Sequence, residues 1–382
     1  MKKLVLKHKL DFIDSELKKI KKDNLHRKLR NGRVQGPYIT INGKKLINLC
    51  SNDYLGMPPT KITVNQLQSS SRLVSGNDEE YLKLEEWLAK HKSQQKSLIF
   101  PTGYMANIGT IASIASKGDI IFSDELNHAS IIEASKLSGS KISVYSHNDM
   151  NDLEKRIKSN KSIKRKFIIT EGIFSMDGDF SNLKQIAEIS EKEGAVTIVD
   201  DAHGDFVVGK DGKGTPDYFN VAKKIDLYIS SLSKGLGSFG GYAASQKNVI
   251  DFFINKSKSF IYTSALPSIL VQHALKRIDY NRNEQVGKLE RNTIRLTRGL
   301  QEIGYSVNSP THIIPIIVGD EKKALSLGKF LIDNGVFAQP IRYPTVAKNK
   351  ARLRISVTAW LSPKDINKAL EIFKMAYAKF YR

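Results

Sequence analysis

The sequence predicts an α/β fold built on a mostly parallel sheet, with a smaller α+β unit attached to it. Two changes of pattern carry this reading. From about residue 96 to 245, short apolar runs at 97–100, 119–122, 167–170, 196–199 and 227–230 each end in a polar or Gly-rich turn, and segments of helical periodicity follow them. From about residue 271 the order changes to a long helical stretch through Gly304, a strand-like run at 312–318, a helix at 322–334, a strand at 353–358 and a last helix after Ser362-Pro363. A chain of 382 residues is long for one core. The expected organisation is therefore an N-terminal helical segment (1–45), a large α/β domain (46–270) and a C-terminal α+β domain (271–382). Residues 8–30 carry a charged helical pattern that cannot form a core alone, so they are expected to join the appendage or cover the site.

Composition excludes several classes. No uninterrupted apolar run approaches the length of a membrane helix, and Lys7, Lys9 and Asp11 interrupt any secretory core near the start, so a cytoplasmic protein without a membrane partner is expected. The single cysteine, Cys50, supplies neither an internal disulfide nor a thiolate metal cluster; it reads as a small buried residue, and no metal is expected. The net charge of +21 would suit a nucleic-acid-binding protein, the reading from a different functional class. Apart from a cluster at Lys18, Lys19, Lys21 and Lys22, however, the lysines are scattered rather than striped with aromatics, and no nucleic-acid partner is expected. Attraction of a phosphate-rich or carrier-borne substrate is the other use the charge suggests.

Ligands of open α/β sheets bind beyond the carboxyl ends of the strands, so polar residues that follow apolar runs are the ones to inspect. The run 195–199 ends in Asp200-Asp-Ala-His-Gly204, a carboxylate followed by an imidazole. By itself this reads equally as a helix cap and a packed histidine. The next run leads into Ser231-Leu-Ser-Lys-Gly-Leu-Gly237, where Lys234 stands among small hydroxyl and glycine residues that leave its amine accessible to an aldehyde. Pyridoxal 5'-phosphate (PLP) explains why these segments belong together. A lysine holds the aldehyde as a Schiff base, and a carboxylate keeps the pyridine nitrogen protonated so that the ring accepts electrons. Gly103 and Tyr104 open a helical pattern after an apolar run, which suits phosphate binding at a helix N-terminus.

Seven motifs occur in order: Ser51-Asn-Asp-Tyr-Leu-Gly56, Ser71-Arg-Leu-Val-Ser-Gly-Asn77, Asn127-His-Ala-Ser130, Glu171-Gly-Ile-Phe-Ser-Met-Asp-Gly178, Asp200-Asp-Ala-His-Gly204, Ser233-Lys-Gly235 and Arg352-Leu-Arg354. Together they closely resemble the α-oxoamine synthases, PLP-dependent enzymes that condense a small amino acid with an acyl thioester and release carbon dioxide. The resemblance covers about residues 48–359. It implies the type I PLP-dependent transferase fold, the aspartate aminotransferase architecture, and a homodimer with shared active sites. Carried over by position, it implies that Lys234 anchors PLP, that Asp200 pairs with the pyridine nitrogen, that His203 bonds the 3'-oxygen and that His128 stacks on the ring. Ser231 resembles a phosphate donor. Thr263 and Ser264 resemble the segment reaching the partner subunit's phosphate, although an ordinary turn before Pro267 would look the same. Asn52 resembles a residue near the substrate and Ser175 one near the cofactor. Arg352 and Arg354 share a strand face, so periodicity does not separate them; the resemblance assigns the amino-acid carboxylate to Arg354, whose guanidinium would grip it by two parallel hydrogen bonds.

The family pattern is broken at Tyr81, at Ala347 and Asn349, and at Leu361, all in regions near the substrate entrance. Packing alone separates alanine, glycine and serine by only about 1–3 kcal/mol, so substrate choice is hard to read. The segment 71–77 resembles the branch serving biotin synthesis, which implies L-alanine and a pimeloyl thioester on coenzyme A or acyl carrier protein. Glycine C-acetyltransferase is the competing family activity.

Overall fold

The computed structural model describes residues 9–62 and 70–381; the lysine at position 7 and the rest of residues 1–8 lie outside them. The chain opens with helix α1 (Phe12–Lys22), none of whose residues is buried. It continues into strands β1 (Gly32–Gln35), β2 (Tyr38–Ile41) and β3 (Lys44–Asn48), which pair as an antiparallel meander. This corrects the helical reading of the first 45 residues. Asn24 takes a φ of 57° just past the helix end, and Asn42-Gly43, with φ of 49° and 76°, supply the two left-handed positions of a tight hairpin turn.

The apolar runs then build one seven-stranded sheet. In chain order its elements are α2 (Glu79–His91), β4 (Lys96–Phe100), α3 (Gly103–Ile114), β5 (Ile120–Asp124), α4 (Ala129–Leu137), β6 (Lys141–Tyr145), α5 (Met150–Lys158), β7 (Lys166–Glu171), α6 (Leu183–Glu193), β8 (Val196–Asp200), α7 (Thr215–Tyr218), β9 (Leu227–Ser231) and β10 (Gly241–Ser245). The strand order is β4-β10-β9-β8-β7-β5-β6, parallel except for β10, which runs antiparallel to both its neighbours. Strands β7, β8 and β9 are buried along almost their whole length, as expected of parallel strands covered on both faces. Two strands were not foreseen. β6 is a half-exposed edge strand, and β10 (Gly-Tyr-Ala-Ala-Ser) lacks the β-branched residues that mark strands.

After α8 (Lys247–Lys256) and α9 (Lys258–Ile261), the expected long helix is two: α10 (Ser268–Ile278) and α11 (Asn283–Ile303). They part at residues 279–282, where Arg282 Nη1 donates to the Ile278 carbonyl at 3.1 Å and the Asn281 side chain accepts from the Asn283 amide. The remainder comprises β11 (Ile313–Gly319), α12 (Glu321–Asn334), β12 (Val336–Phe337), β13 (Pro340–Ile341), β14 (Ala351–Ser356) and α13 (Pro363–Phe380). Helix α13 starts on a capping box in which Ser362 and Asp365 bond each other's backbone amides. Strands β11, β14 and β13 form an antiparallel sheet, while β12 pairs in parallel with β3, which joins the N-terminal meander to the C-terminal unit.

The loop after β7 is the seam between the large sheet and this unit. Gly178 has a φ of 73°, and a Cβ there would collide with the Ile313 carbonyl oxygen. Its own carbonyl accepts from Thr311 Oγ1 at 2.6 Å. On the other side His147 bridges Asp124 Oδ1 at 2.9 Å and Asp179 Oδ2 at 2.8 Å. Burial alone would lower the His147 pKa, but the two carboxylates outweigh it and raise it to about 10. Its stabilisation is therefore complete below the ordinary value of 6.5 and fades as the pH climbs through about 10. Replacing His147 with Asn should cost about 1–2 kcal/mol at neutral pH, a figure already reduced for its partial exposure. Denaturant midpoints of the two proteins should converge between pH 7 and 10; a gap independent of pH would mean that the bridge is not ionic.

Candidate active site

A cavity of about 250 Å³ opens at the carboxyl ends of the parallel strands. Its wall includes Gly103, Tyr104, His128, Asp200, His203, Ser231 and Lys234, seven of the residues given roles from the sequence, together with Asn107 and Glu171, which had none. Asp200 is the last residue of β8, and Lys234 follows the adjacent β9 by three residues, so strand pairing alone sets them side by side.

The Lys234 amine lies 2.8 Å from His203 Nε2. His203 Nδ1 lies 2.6 Å from the Tyr54 hydroxyl, which also reaches Asn52 Oδ1 at 3.2 Å. One assignment of protons satisfies all three contacts: Lys234 donates to Nε2, Nδ1–H donates to Tyr54 Oη, and the Tyr54 hydroxyl donates to Asn52. Burial, with the Lys234 and Arg354 cations close by, holds the His203 pKa well below its usual value, so the ring is neutral. Burial likewise lowers the Lys234 pKa; Asp200 and Glu171 pull it back up and Arg354 lowers it further. Glu171 moves the opposite way, raised by burial and by the neighbouring Asp200, and its Oε1 is buried without a hydrogen-bond partner.

Asp200 is held on both oxygens. Asn107 donates to Oδ2 at 2.6 Å and the Ala202 amide to Oδ1 at 3.0 Å, while Asn107 also reaches Ser130 Oγ at 2.9 Å. His128 combines the two roles the sequence left open. It caps α4, accepting the Ser130 amide at Nδ1, and it lines the cavity with its pKa lowered by burial. Tyr104 stands edge-on to it, 6.5 Å between ring centres. At the far wall Thr102 caps α3 through the Met105 amide, so the Gly103 and Tyr104 amides of the first turn have no intrahelical acceptor. A Cβ on Gly103 would lie 3.1 Å from that of Ser231, and Ser231 Oγ meets Ser233 Oγ at 2.7 Å.

Arg354 and Arg352, indistinguishable by periodicity, differ in their partners. Arg352 is bound to Asp177 Oδ1 at 2.5 Å and to the Met176 carbonyl at 3.1 Å. Arg354 is buried with neutral partners only: the Ser175 carbonyl, Asn52 Oδ1 at 3.1 Å, Ser356 Oγ at 2.7 Å and the Tyr54 hydroxyl at 3.3 Å. No carboxylate forms an ion pair with it among the described residues. Asn52 and the Ser175 carbonyl thus hold Arg354, and neither residue lines the cavity itself. Thr263 and Ser264, between α9 and α10, do not line this chain's cavity either. Tyr81, where the family pattern breaks, is a core residue that donates to the Leu266 carbonyl under the Arg72 guanidinium. Tyr54 and Asn107 were missed. Tyr54 sat inside a quoted motif without a role, and Asn107 inside a helical pattern; the one signal for Asn107 was an amide on the apolar face of a helix.

Residues 44–373 match the family of class I and II aminotransferases, and the chain belongs to that family. Within it the similarity is to 8-amino-7-oxononanoate synthases. The enzyme of Thermoanaerobacter pseudethanolicus is 40% identical over 96% of this chain and 97% of its own length, and that of Alkaliphilus metalliredigens is 36% identical over the same shares. Among solved structures, serine palmitoyltransferase of Sphingomonas wittichii superposes with a TM-score of 0.91 at 27% identity, covering 98% of this chain and 99% of its own. The 8-amino-7-oxononanoate synthase of Francisella tularensis gives 0.72 at 26%, covering 88% and 99%. A further serine palmitoyltransferase structure, TM-score 0.90 at 26% identity and 98% coverage of both chains, holds PLP. The chain thus has the type I PLP-dependent transferase fold, and PLP is its cofactor. The cavity suits that group: a free amine, a carboxylate fixed on both oxygens, a neutral imidazole, first-turn amides beside a serine pair, and a buried Asn107 Oδ1 without a partner.

Because Asp200 is the main group raising the Lys234 pKa, replacing it with Asn should move the midpoint of the amine down by about one pH unit. Competitive acylation followed by mass spectrometry at Lys234 reads this directly. An unmoved midpoint would show that Asp200 does not act on the amine.

Proposed function

We propose that this protein condenses L-alanine with a pimeloyl thioester, borne on coenzyme A or acyl carrier protein, to give 8-amino-7-oxononanoate, carbon dioxide and the free thiol in biotin biosynthesis. The observation that carries the reading is the pairing of a lightly held amine at Lys234 with a buried, carboxylate-free guanidinium at Arg354, joined through His203 and Tyr54.

Held in this cavity, PLP would supply an electron sink for the charge that develops at the amino acid's α-carbon once the substrate amine has freed Lys234. Its holders would be Asp200 at the pyridine nitrogen, His203 at the 3'-oxygen, His128 at the ring face, and Gly103, Tyr104 and Ser231 at the phosphate. Arg354 binds the alanine carboxylate with the two-pronged geometry that its neutral surroundings leave available. Asn52 and Ser175 keep that fork in place. Lys234, whose burial favours the neutral amine, takes the α-proton at Nζ. His203, kept neutral, accepts a hydrogen bond at Nε2 and does not compete as a base.

The protein works as a homodimer in which Thr263 and Ser264 reach the partner's phosphate; their position away from this chain's own cavity supports that assignment. The domain limits proposed are 45/46 and 270/271. No helix among the described residues is long and apolar enough to cross a membrane, and a cytoplasmic setting is proposed with the function.

Replacing Lys234 with Ala should abolish turnover and the PLP–lysine absorbance. Replacing Arg354 with Met should raise the KM for alanine about 100-fold with a smaller change in kcat, as expected for a lost charged hydrogen-bond pair of roughly 2–3 kcal/mol. Titration with alanine, glycine and serine, followed by product analysis with pimeloyl and acetyl thioesters, decides the substrate; preference for glycine and the acetyl group would overturn the reading.

A further inference from the structure

Phe206 has a φ of 65°, a left-handed conformation that a bulky aromatic residue rarely adopts, and it is fully buried. It lies three residues past His203, in a turn that α2 holds from outside. The Phe206 ring stacks on His91 with 5.0 Å between centres and 7° between planes, and His91 stacks in turn on Trp87 at 4.8 Å. The Arg282 guanidinium lies 5.7 Å from the Phe206 ring centre. The preceding residue is fastened as firmly. Asp205 receives Lys92 Nζ at 2.5 Å and the Tyr242 hydroxyl at 2.5 Å, and it meets His91 Nε2 at 3.1 Å.

This turn is the floor under the site lysine. Gly235, the residue after Lys234, lies so close that a Cβ on it would collide with the Asp205 carbonyl oxygen and stand 2.9 Å from Val207 Cγ2 and 3.1 Å from Phe206 Cβ. One short segment, residues 203–207, therefore carries His203, which meets the Lys234 amine, and also the surface on which the Lys234 backbone rests. A left-handed aromatic residue persists at such a place only where its surroundings over-determine it, and the ring stack, the Asp205–Lys92 ion pair and the hydrogen bonds of Asp205 do so.

We propose that Phe206, clamped in its left-handed conformation by the Trp87–His91 stack and the Asp205–Lys92 ion pair, is a positioning residue that sets the distance between Lys234 and His203. It touches neither the amine nor any reacting atom. The inference rests on Lys234 being the cofactor amine, but its readout is the titration of that amine, which would stay informative if PLP were held elsewhere.

The amine is faced by Asp200 from β8, Glu171 from β7, Arg354 from β14, His203 from the turn and His128 from the start of α4. Phe206→Gly keeps a residue at ease with the backbone angle and removes the ring. In the purified full-length protein without added PLP, competitive acylation across a pH series should then show the Lys234 midpoint rising by about one unit, as a loosened turn admits water to the amine. PLP affinity should fall about tenfold, and the thermal midpoint should fall as well, because emptying a buried aromatic site costs more than the backbone strain it relieves. A folded Phe206→Gly protein with the parental Lys234 midpoint would overturn the proposal and leave Phe206 as core packing. Should that variant not fold, Trp87→Leu, which removes only the outer plate of the stack, is read in the same way: a raised midpoint supports the proposal and an unchanged one ends it. Failure of the cofactor assignment is separately visible, since Lys234→Ala would then retain the PLP absorbance.

Discussion

The site depends on one constraint: an amine must be kept buried, neutral enough to act, and free of a carboxylate that would claim it. An unpaired ammonium in a protein interior is costly, and the usual remedy is a close anion. Here the hydrogen-bond partner of Lys234 is instead a neutral imidazole, and the nearby acids are engaged elsewhere or uncharged. Asp200 is occupied by Asn107 and the Ala202 amide. Glu171 is pushed toward its protonated form by burial and by Asp200. The attractive charge is thus held at the cavity wall without a salt bridge that would lock the amine. Such an arrangement favours proton transfer over stability, and it explains why the strand tips carry so many buried polar groups.

Arg354 follows the same logic with the opposite sign. A strand with arginines at positions 352 and 354 offers two cations to the same face, and the chain neutralises one by placing Asp177 on the loop after β7. The other is left with oxygens that carry no charge. Replacing a neutral partner by a substrate carboxylate adds a charge-assisted contact without breaking an internal ion pair. That selectivity depends on the seam, because the loop bearing both Ser175 and Asp177 is held by Gly178 against Ile313 and by His147 between Asp124 and Asp179. Residues remote from the reacting atoms therefore decide which arginine is free.

What was legible from the sequence follows the strength of the local signal. The five parallel strands with apolar runs were visible, as were the strand-tip residues Asp200 and Lys234, because burial on both faces and glycine-rich turns leave patterns within a few residues. β10 was not, since Ala243 and Ala244 pack between neighbours without β-branched side chains. Neither was the break at 279–282, which depends on a long side chain folding back over its own helix end. Asn107 and Tyr54 acquire their roles from partners 93 and 149 residues away, at Asp200 and His203, and no local pattern encodes a contact of that separation. The choice between Arg352 and Arg354 was of the same kind, since Asp177 lies 175 residues from its partner.

The charge of +21, the most conspicuous property of the composition, has little to do with this arrangement. Coulomb interactions between exposed charges are screened over about 8 Å at physiological salt, so lysines spread over the surface contribute little to the balance inside a closed cavity. Around the amine that balance is set locally by Lys234, Arg354, Asp200 and Glu171. Burial pushes Glu171 toward its protonated form, and Arg354 has no carboxylate partner among the described residues, so anions are the groups the cavity would receive. A widely spread surface charge could act only earlier, on the encounter rate of an anionic ligand, and that influence would fall with ionic strength while the local one would not. Availability of Lys234 and Arg354 is decided instead by short hydrogen bonds to neutral partners, which distant charge does not reach.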